Sequence, residues 1–328
     1  MPPLQARFLR IPRSEVSFAR RGFEPCDATV RERIEACFGS FLDGYHLALA
    51  STSLADLAHT LDGHIEAELR GFAYEGAGMY LTLLDCLTPW RRDRLRRFAD
   101  GPARPYAMIA LIGAGLAYAR LPWLRWSGRV AGRQLDPEVG WLAVDGFGFH
   151  EGFFDHARTI EAGRRPASMA GYSSRCFDHG LGRSIWFVKG ASPERIAQAI
   201  SRFERSRQPD LWAGVGLACA YAGGVYADLR AFSGVLDALV QCAADSLAQL
   251  RLGVVLAAVA RCESDVHSAW TALACERLLG RTLEASAMLG VEAAGCVRAQ
   301  LADCPDTPRA HGYELTRQLI LRTVASGA

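Results

Sequence analysis

Apolar positions recur at helical spacing through most of the chain. Ile34, Phe38, Phe41 and Leu42 share one face of a segment that begins after Asp27, and Gly44 is expected to interrupt it. Leu54, Leu57, Leu61 and Ile65 form a stripe over residues 53–68, with Ser53 and Asp56 placed to satisfy the first amides. Residues 71–85 and 106–120 read as two further apolar helices, the first stopping before Pro89 and the second before Pro122. Ser192-Pro193-Glu194 is a helix start, with Ser as N-cap and Pro at the first helical position. From there helix follows helix, with turns expected at 223–224, 263–265, 280 and 305–308. Alternating strand patterns are lacking except for short candidates at 141–144 and 184–188. The expected class is mainly α.

The pattern changes between Asp145 and Phe187. Phe147, Phe149, Phe153, Phe154, Trp186 and Phe187 are interleaved there with glycines, histidines and carboxylates. Glycine permits turns and close backbone approach, so this stretch is expected to be irregular, a centre between two helical halves. The expected organisation is one domain over 1–328: an arm at 1–25, a first half at 26–140, the aromatic centre at 141–190 and a second half at 191–328. A weak repeat supports the two halves. Gly76-Ala77-Gly78-Met79 answers Gly214-Val215-Gly216-Leu217, and the helix at Gly113 answers the one at Gly253. Helical hairpins stacked as an α-solenoid or an orthogonal bundle would follow.

Composition narrows the class. Half of the 328 residues are hydrophobic and 22% are charged, which describes a folded chain and not a disordered one. A formal net charge of +2 gives no footprint for nucleic acid. The ten cysteines contain no CxxC pair and fall mostly in apolar helices, as reduced thiols of a cytoplasmic protein would. The uncharged runs at 211–227 and 106–119 fall short of the roughly 20 residues that span a bilayer. Gly/Ala-rich helices of this kind pack equally well within one chain or between two copies, so a homo-oligomer stays open.

The centre also carries the candidate chemistry. Asp145, His150, Glu151, Asp178 and His179 sit among apolar rings, where burial and mutual charge move pKa values toward use in proton transfer. Arg183 is suited to clamping a carboxylate or phosphate. Phe147, Phe149, Phe153, Trp186, Trp212 and Tyr221 supply aromatic walls for a substrate, with Glu75 bordering an apolar helix. The alternative for each is structural: hydrogen bonds to loop backbone for the acids and histidines, an ion pair for Arg183, and helix capping for Glu75 and Asp210. His150 and His156 stand six residues apart, about 240° around a helix, so they make no zincin-like metal pair. With Asp155, Asp178 and His179 they leave a histidine–carboxylate metal site built from two loops as a minor alternative, and otherwise no cofactor is predicted. Cys176 is the one thiol beside these acids, and Lys189, the only lysine, reads as a solvated surface residue.

An ordered series of motifs carries a resemblance. It runs Arg21-Gly22-Phe23, then Gly71 to Ala77 (GFAYEGA), Gly113 to Pro122 (GAGLAYARLP), Asp145 to Phe154 (DGFGFHEGFF), Gly180 to Phe187 (GLGRSIWF) and Asp210 to Gly224 (DLWAGVGLACAYAGG). In this series the chain resembles the UnbL-type proteins of enediyne biosynthetic clusters over nearly its whole length. The resemblance implies a setting: an accessory enzyme, or enzyme component, acting on a hydrophobic polyene or polyketide intermediate of this antibiotic class. It implies UnbV-like and membrane-bound UnbU-like proteins as partners, and membrane association only through such a partner. The alternative function is a carrier or scaffold that shields the polyene. The resemblance transfers no catalytic residues.

Overall fold

The computed structural model describes residues 9–88, 90, 93–121, 140–167, 169–223, 228–303 and 312–326. Among them the structure is helical throughout, with no strand. The helices are α1 (Ala28–Ala50), α2 (Leu54–His64), α3 (Ala67–Leu87), α4 (Arg94–Asp100), α5 (Ala107–Arg120), α6 (Trp141–Phe154) and α7 (Tyr172–Val188). They continue with α8 (Pro193–Ser201), α9 (Gln208–Ala222), α10 (Leu229–Ala243), α11 (Leu247–Glu263), α12 (Ala269–Leu279), α13 (Leu283–Asp303) and α14 (Gly312–Ser326). Local signals hold where they are local. The Ser53 side chain accepts the Asp56 amide at 3.3 Å, and Ser192 caps α8.

A row of seven helices makes the body: α1, α3, α5, α6, α7, α9 and α11, each packed on the next. Short helices α2, α4, α8 and α10, and a π-helical turn at Ala157–Glu161, connect successive members. The row is built by one motif. Gly-x-Gly recurs at residues 76, 113, 146, 180 and 214, at intervals of 33 to 37 residues. Positions two apart on a helix point about 200° apart, so the paired glycines serve opposite neighbours. A Cβ on Gly76 would stand 1.9 Å from the Phe41 carbonyl oxygen on α1, and one on Gly78 would stand 2.2 Å from that of Ala110 on α5. The same reciprocal contact joins α5 to α6 (Gly115, Gly146), α6 to α7 (Gly148, Gly180), α7 to α9 (Gly182, Gly214) and α9 to α11 (Gly216, Gly253). Backbones meet directly at these crossings, and no side chain fits between them.

This architecture revises the expected organisation. The class is mainly α, but the centre is not an irregular insert between halves. Residues 141–154 and 172–188 are two more helices of the row, and only 155–171 between them leaves α-helical geometry. Gly146, Gly148, Gly180 and Gly182 supply close approach and not turns. The strand candidates at 141–144 and 184–188 are helical for the same reason. Gly44 does not interrupt α1, because it lies under α3 with its would-be Cβ 1.8 Å from the Ala73 oxygen.

Other local expectations change as well. The second helix stops at His64, since Ile65 is extended. Asp210 lies within α9 and does not cap it; it accepts from Arg175 at 3.0 Å and from Arg317 at 2.8 Å. Lys189 is buried, its Nζ 2.6 Å from both Glu24 and Glu161. The stretch Leu229–Glu263 reaches the length and hydropathy of a membrane span, yet 56% of its apolar window is buried. Ala244, at φ 41°, divides it into α10 and α11. Residues 1–8 of the expected arm, the turn at 305–308 and Cys304 lie outside the described residues.

Candidate functional site

The row presents one face to a small apolar cavity of about 80 Å³. Glu75, Ile112, Asp145 and His179 line it, each standing one residue before the first glycine of its motif on α3, α5, α6 and α7. The glycine motif therefore sets which residue of each helix faces inward, and three of these four are ionisable. Arg183 completes the polar part, and Phe72, Met108, Ile109, Leu142, Leu217, Leu256, Ala260, Tyr221 and Tyr313 complete the wall.

Asp145 is 3% exposed and organises the polar group. Its Oδ2 accepts from His179 Nδ1, and its Oδ1 accepts from Arg183 Nη1 at 2.5 Å. Arg183 Nη2 reaches Glu75 Oε1 at 3.4 Å, and the guanidinium lies 4.9 Å from the centre of the Phe149 ring. The contact with Asp145 uses Nδ1, so Nε2 is the remaining ring nitrogen of His179. That nitrogen is buried and has no hydrogen-bond partner among the described residues. The Tyr221 hydroxyl is in the same state, resting over Gly71, where a Cβ would stand 1.9 Å from it.

Burial and charge move the two carboxyls in opposite directions. Burial pushes Glu75 up, and the more distant Arg183 only partly offsets this. Asp145 is buried too, but Arg183 and His179 together hold it below the usual carboxylate value. Asp145 and Glu75 together raise Arg183 despite its burial. Burial pushes the Tyr221 phenol up to about 12. Two carboxyls driven apart in one cavity and bridged by Arg183, with an imidazole held on Asp145, form a set able to accept a proton at one point and donate one at another.

The remaining candidates lie elsewhere. Glu151 is buried and paired with Arg158, and His150 Nδ1 lies 3.5 Å from its Oε1. The His150 ring packs on Phe154, 4.6 Å between centres. Asp178 neighbours His179 in sequence but points about 100° away, where Arg207 grips it at 2.6 and 3.0 Å and Arg165 at 3.2 Å. Phe149 and Phe153 pack with Phe38, and Phe147 with Phe177. Trp186 and Trp212 are buried, and neither lines the cavity. Among the described residues no three His, Cys, Asp or Glu side chains are grouped to hold a metal ion. Burial pushes the Cys176 thiol up to about 12, which makes it a poor nucleophile. Sequence reasoning missed the wall residues of α3, α5, α6, α9, α11 and α14. For α3, α5, α6 and α9 the signal was register against Gly-x-Gly, which becomes visible once that motif is read as a helix crossing; α11 and α14 carry no such motif.

Fold and site together define a class: an all-helical protein built from a repeated glycine-crossed helix, with a polar cluster facing an apolar cavity. Within that class the chain belongs to the family described as a protein of unknown function, DUF1702, whose model matches residues 1–324. No curated protein and no solved structure matches it.

Proposed function

We propose that this protein is an accessory enzyme of enediyne antibiotic biosynthesis that moves a proton within a hydrophobic polyene or polyketide intermediate. The observation that carries the reading is His179: held through Nδ1 by an ionised Asp145, with Nε2 buried, unpartnered and bordering an apolar cavity. An imidazole so oriented is a general base. Glu75, kept toward its neutral form by burial, is the acid that returns a proton elsewhere on the chain. Removal of one proton and return of another leaves the substrate's formula unchanged and requires no oxidant. The cavity is smaller than the roughly 300–1,000 Å³ that enclose a drug-sized ligand, so it receives one end of a slender chain. The enediyne setting and the UnbV-like and UnbU-like partners rest on the sequence resemblance. A carrier role is the second reading, favoured by the predominantly apolar lining of the cavity.

One experiment separates the two. The purified protein is incubated in D2O with the polyene released by an enediyne polyketide synthase; binding is followed by absorbance and deuterium uptake by mass spectrometry. The expected result is binding with deuterium uptake, and a loss of uptake of about 100-fold or more in His179→Gln at near-parental affinity. Binding without uptake makes the protein a carrier. Uptake that survives His179→Gln removes this histidine from the chemistry, and absence of binding overturns the polyene reading.

A further inference from the structure

We infer that the cavity takes the oxygen-bearing end of its ligand, a conjugated carbonyl, with the Tyr221 hydroxyl donating to the carbonyl oxygen while His179 Nε2 faces the adjoining carbons. The inference deepens the proposed proton transfer and rests on it for the role of His179. It starts from a polar mismatch. The cavity wall is overwhelmingly apolar, yet two residues that line it, His179 and Tyr221, each carry a buried polar atom, Nε2 and Oη, with no hydrogen-bond partner among the described residues. Tyr221 is 8% exposed and His179 4%. An unsatisfied buried hydroxyl is costly to keep. Its presence is explained if a ligand supplies the partner.

The surroundings hold the hydroxyl in place. Gly71 leaves the space it occupies, Phe72 meets the ring edge-on at 5.7 Å, and the Arg261 guanidinium covers the ring at 4.0 Å. Arg261 also donates to the Tyr221 backbone oxygen at 2.5 Å, tying the ring's position to the helix that bears it.

The chemistry demands the same group. A C–H flanked only by double bonds is too weak an acid for an imidazole. Conjugation to a carbonyl changes that, because the electron pair released when the C–H breaks moves onto oxygen. The proton goes to His179 Nε2, the negative charge goes to the carbonyl oxygen, and the Tyr221 O–H stabilises the resulting enolate. Protonation of a remote carbon by the Glu75 carboxyl restores the carbonyl and shifts the double bonds. Arg183 is drawn toward the two carboxyls, to which Nη1 and Nη2 donate.

The test is a binding series that needs no turnover: a conjugated triene hydrocarbon and the aldehyde of equal length, each titrated into the full chain by absorbance. The aldehyde is expected to bind about tenfold tighter. Tyr221→Phe should erase that difference while leaving hydrocarbon affinity unchanged, which also reports that the variant is folded. The infrared carbonyl stretch of the bound aldehyde should move to lower frequency in the parent and return in Tyr221→Phe. Gly71→Ala, which displaces the hydroxyl, should act in the same direction. Equal affinities for the two probes, or a preference that persists in Tyr221→Phe, overturn the inference. Deuterium uptake is read separately, so loss of the proton-transfer reading and loss of the carbonyl reading give different outcomes.

Discussion

Two buried ionic clusters sit on different faces of α7, and they differ in whether their hydrogen bonds are complete. In the outer cluster Asp178 accepts from both nitrogens of Arg207's fork and from Arg165, while Arg207 also donates to the Gly163 oxygen at 2.6 Å. It ties the 155–171 connection to α7 and to the residue before α9. In the inner cluster Asp145 and Arg183 are similarly engaged, but His179 keeps one nitrogen, and Tyr221 across the cavity keeps its hydroxyl. Adjacent residues of one helix, Asp178 and His179, thus have separate fates. Ionic groups that are fully satisfied hold structure; the one with an unmatched atom at a cavity is the candidate for chemistry.

The largest test of this contrast removes the outer fork. Arg207→Met leaves the Asp178 carboxylate buried with only the half-exposed Arg165, and a loss of about 3–5 kcal/mol in unfolding free energy is expected by chemical denaturation. Tyr221→Phe, which deletes an unpartnered hydroxyl, should be near neutral by the same measurement. A comparable loss in both variants would erase the distinction between the clusters.

Next in size is the crossing that carries both clusters. Gly148→Ala would place a methyl 2.1 Å from the Phe177 carbonyl oxygen and force α6 from α7, with an expected cost of about 1–3 kcal/mol. The exposed Gly234 of α10 has nothing within 4 Å of its would-be Cβ, and Gly234→Ala should stabilise by about 0.5–1 kcal/mol. Opposite signs at two helical glycines, read from thermal or denaturant unfolding, separate packing from propensity.

The smallest effect is in pH dependence. Glu75 is raised in the fold, so its contribution is complete below its ordinary value of 4.5 and is lost as pH rises through the raised value. Asp145 is lowered, so its contribution is present above its ordinary 3.8 and is lost as pH falls through the lowered value. Stability measured against pH should lose its decline on the alkaline side of 4.5 in Glu75→Gln. It should lose part of its acid-side decline in Asp145→Asn. Identical profiles for the two variants would show that the carboxyls are not driven apart.

Much of this was legible along the chain, and the largest failure has one cause. Helix existence, the Ser53 and Ser192 caps and the inclusion of Glu75, Asp145, His179, Arg183 and Tyr221 among the candidates all followed from local pattern and residue chemistry. What misled was glycine. Read locally, Gly146, Gly148, Gly180 and Gly182 signal turns, because isolated helices disfavour glycine by about 1 kcal/mol. In the fold that cost is offset by backbones meeting at a crossing no larger residue permits. His150 and Glu151 were drawn into the candidate site by proximity in sequence. Six positions of helical rotation carry Glu151 away from Asp145 and toward Arg158.

By itself the sequence determined that this chain is helical, that it repeats Gly-x-Gly at intervals of 33 to 37 residues, and that Glu75, Asp145 and His179 each precede one of those motifs. Those are properties of spacing and of side-chain chemistry. Only the tertiary structure decided which ionisable residue faces the cavity and which is closed in an ion pair. That choice depends on where seven helices place their faces relative to one another. α3 and α7 bring together Glu75 and Arg183, 108 residues apart in sequence, and α9 brings Tyr221 to the same cavity.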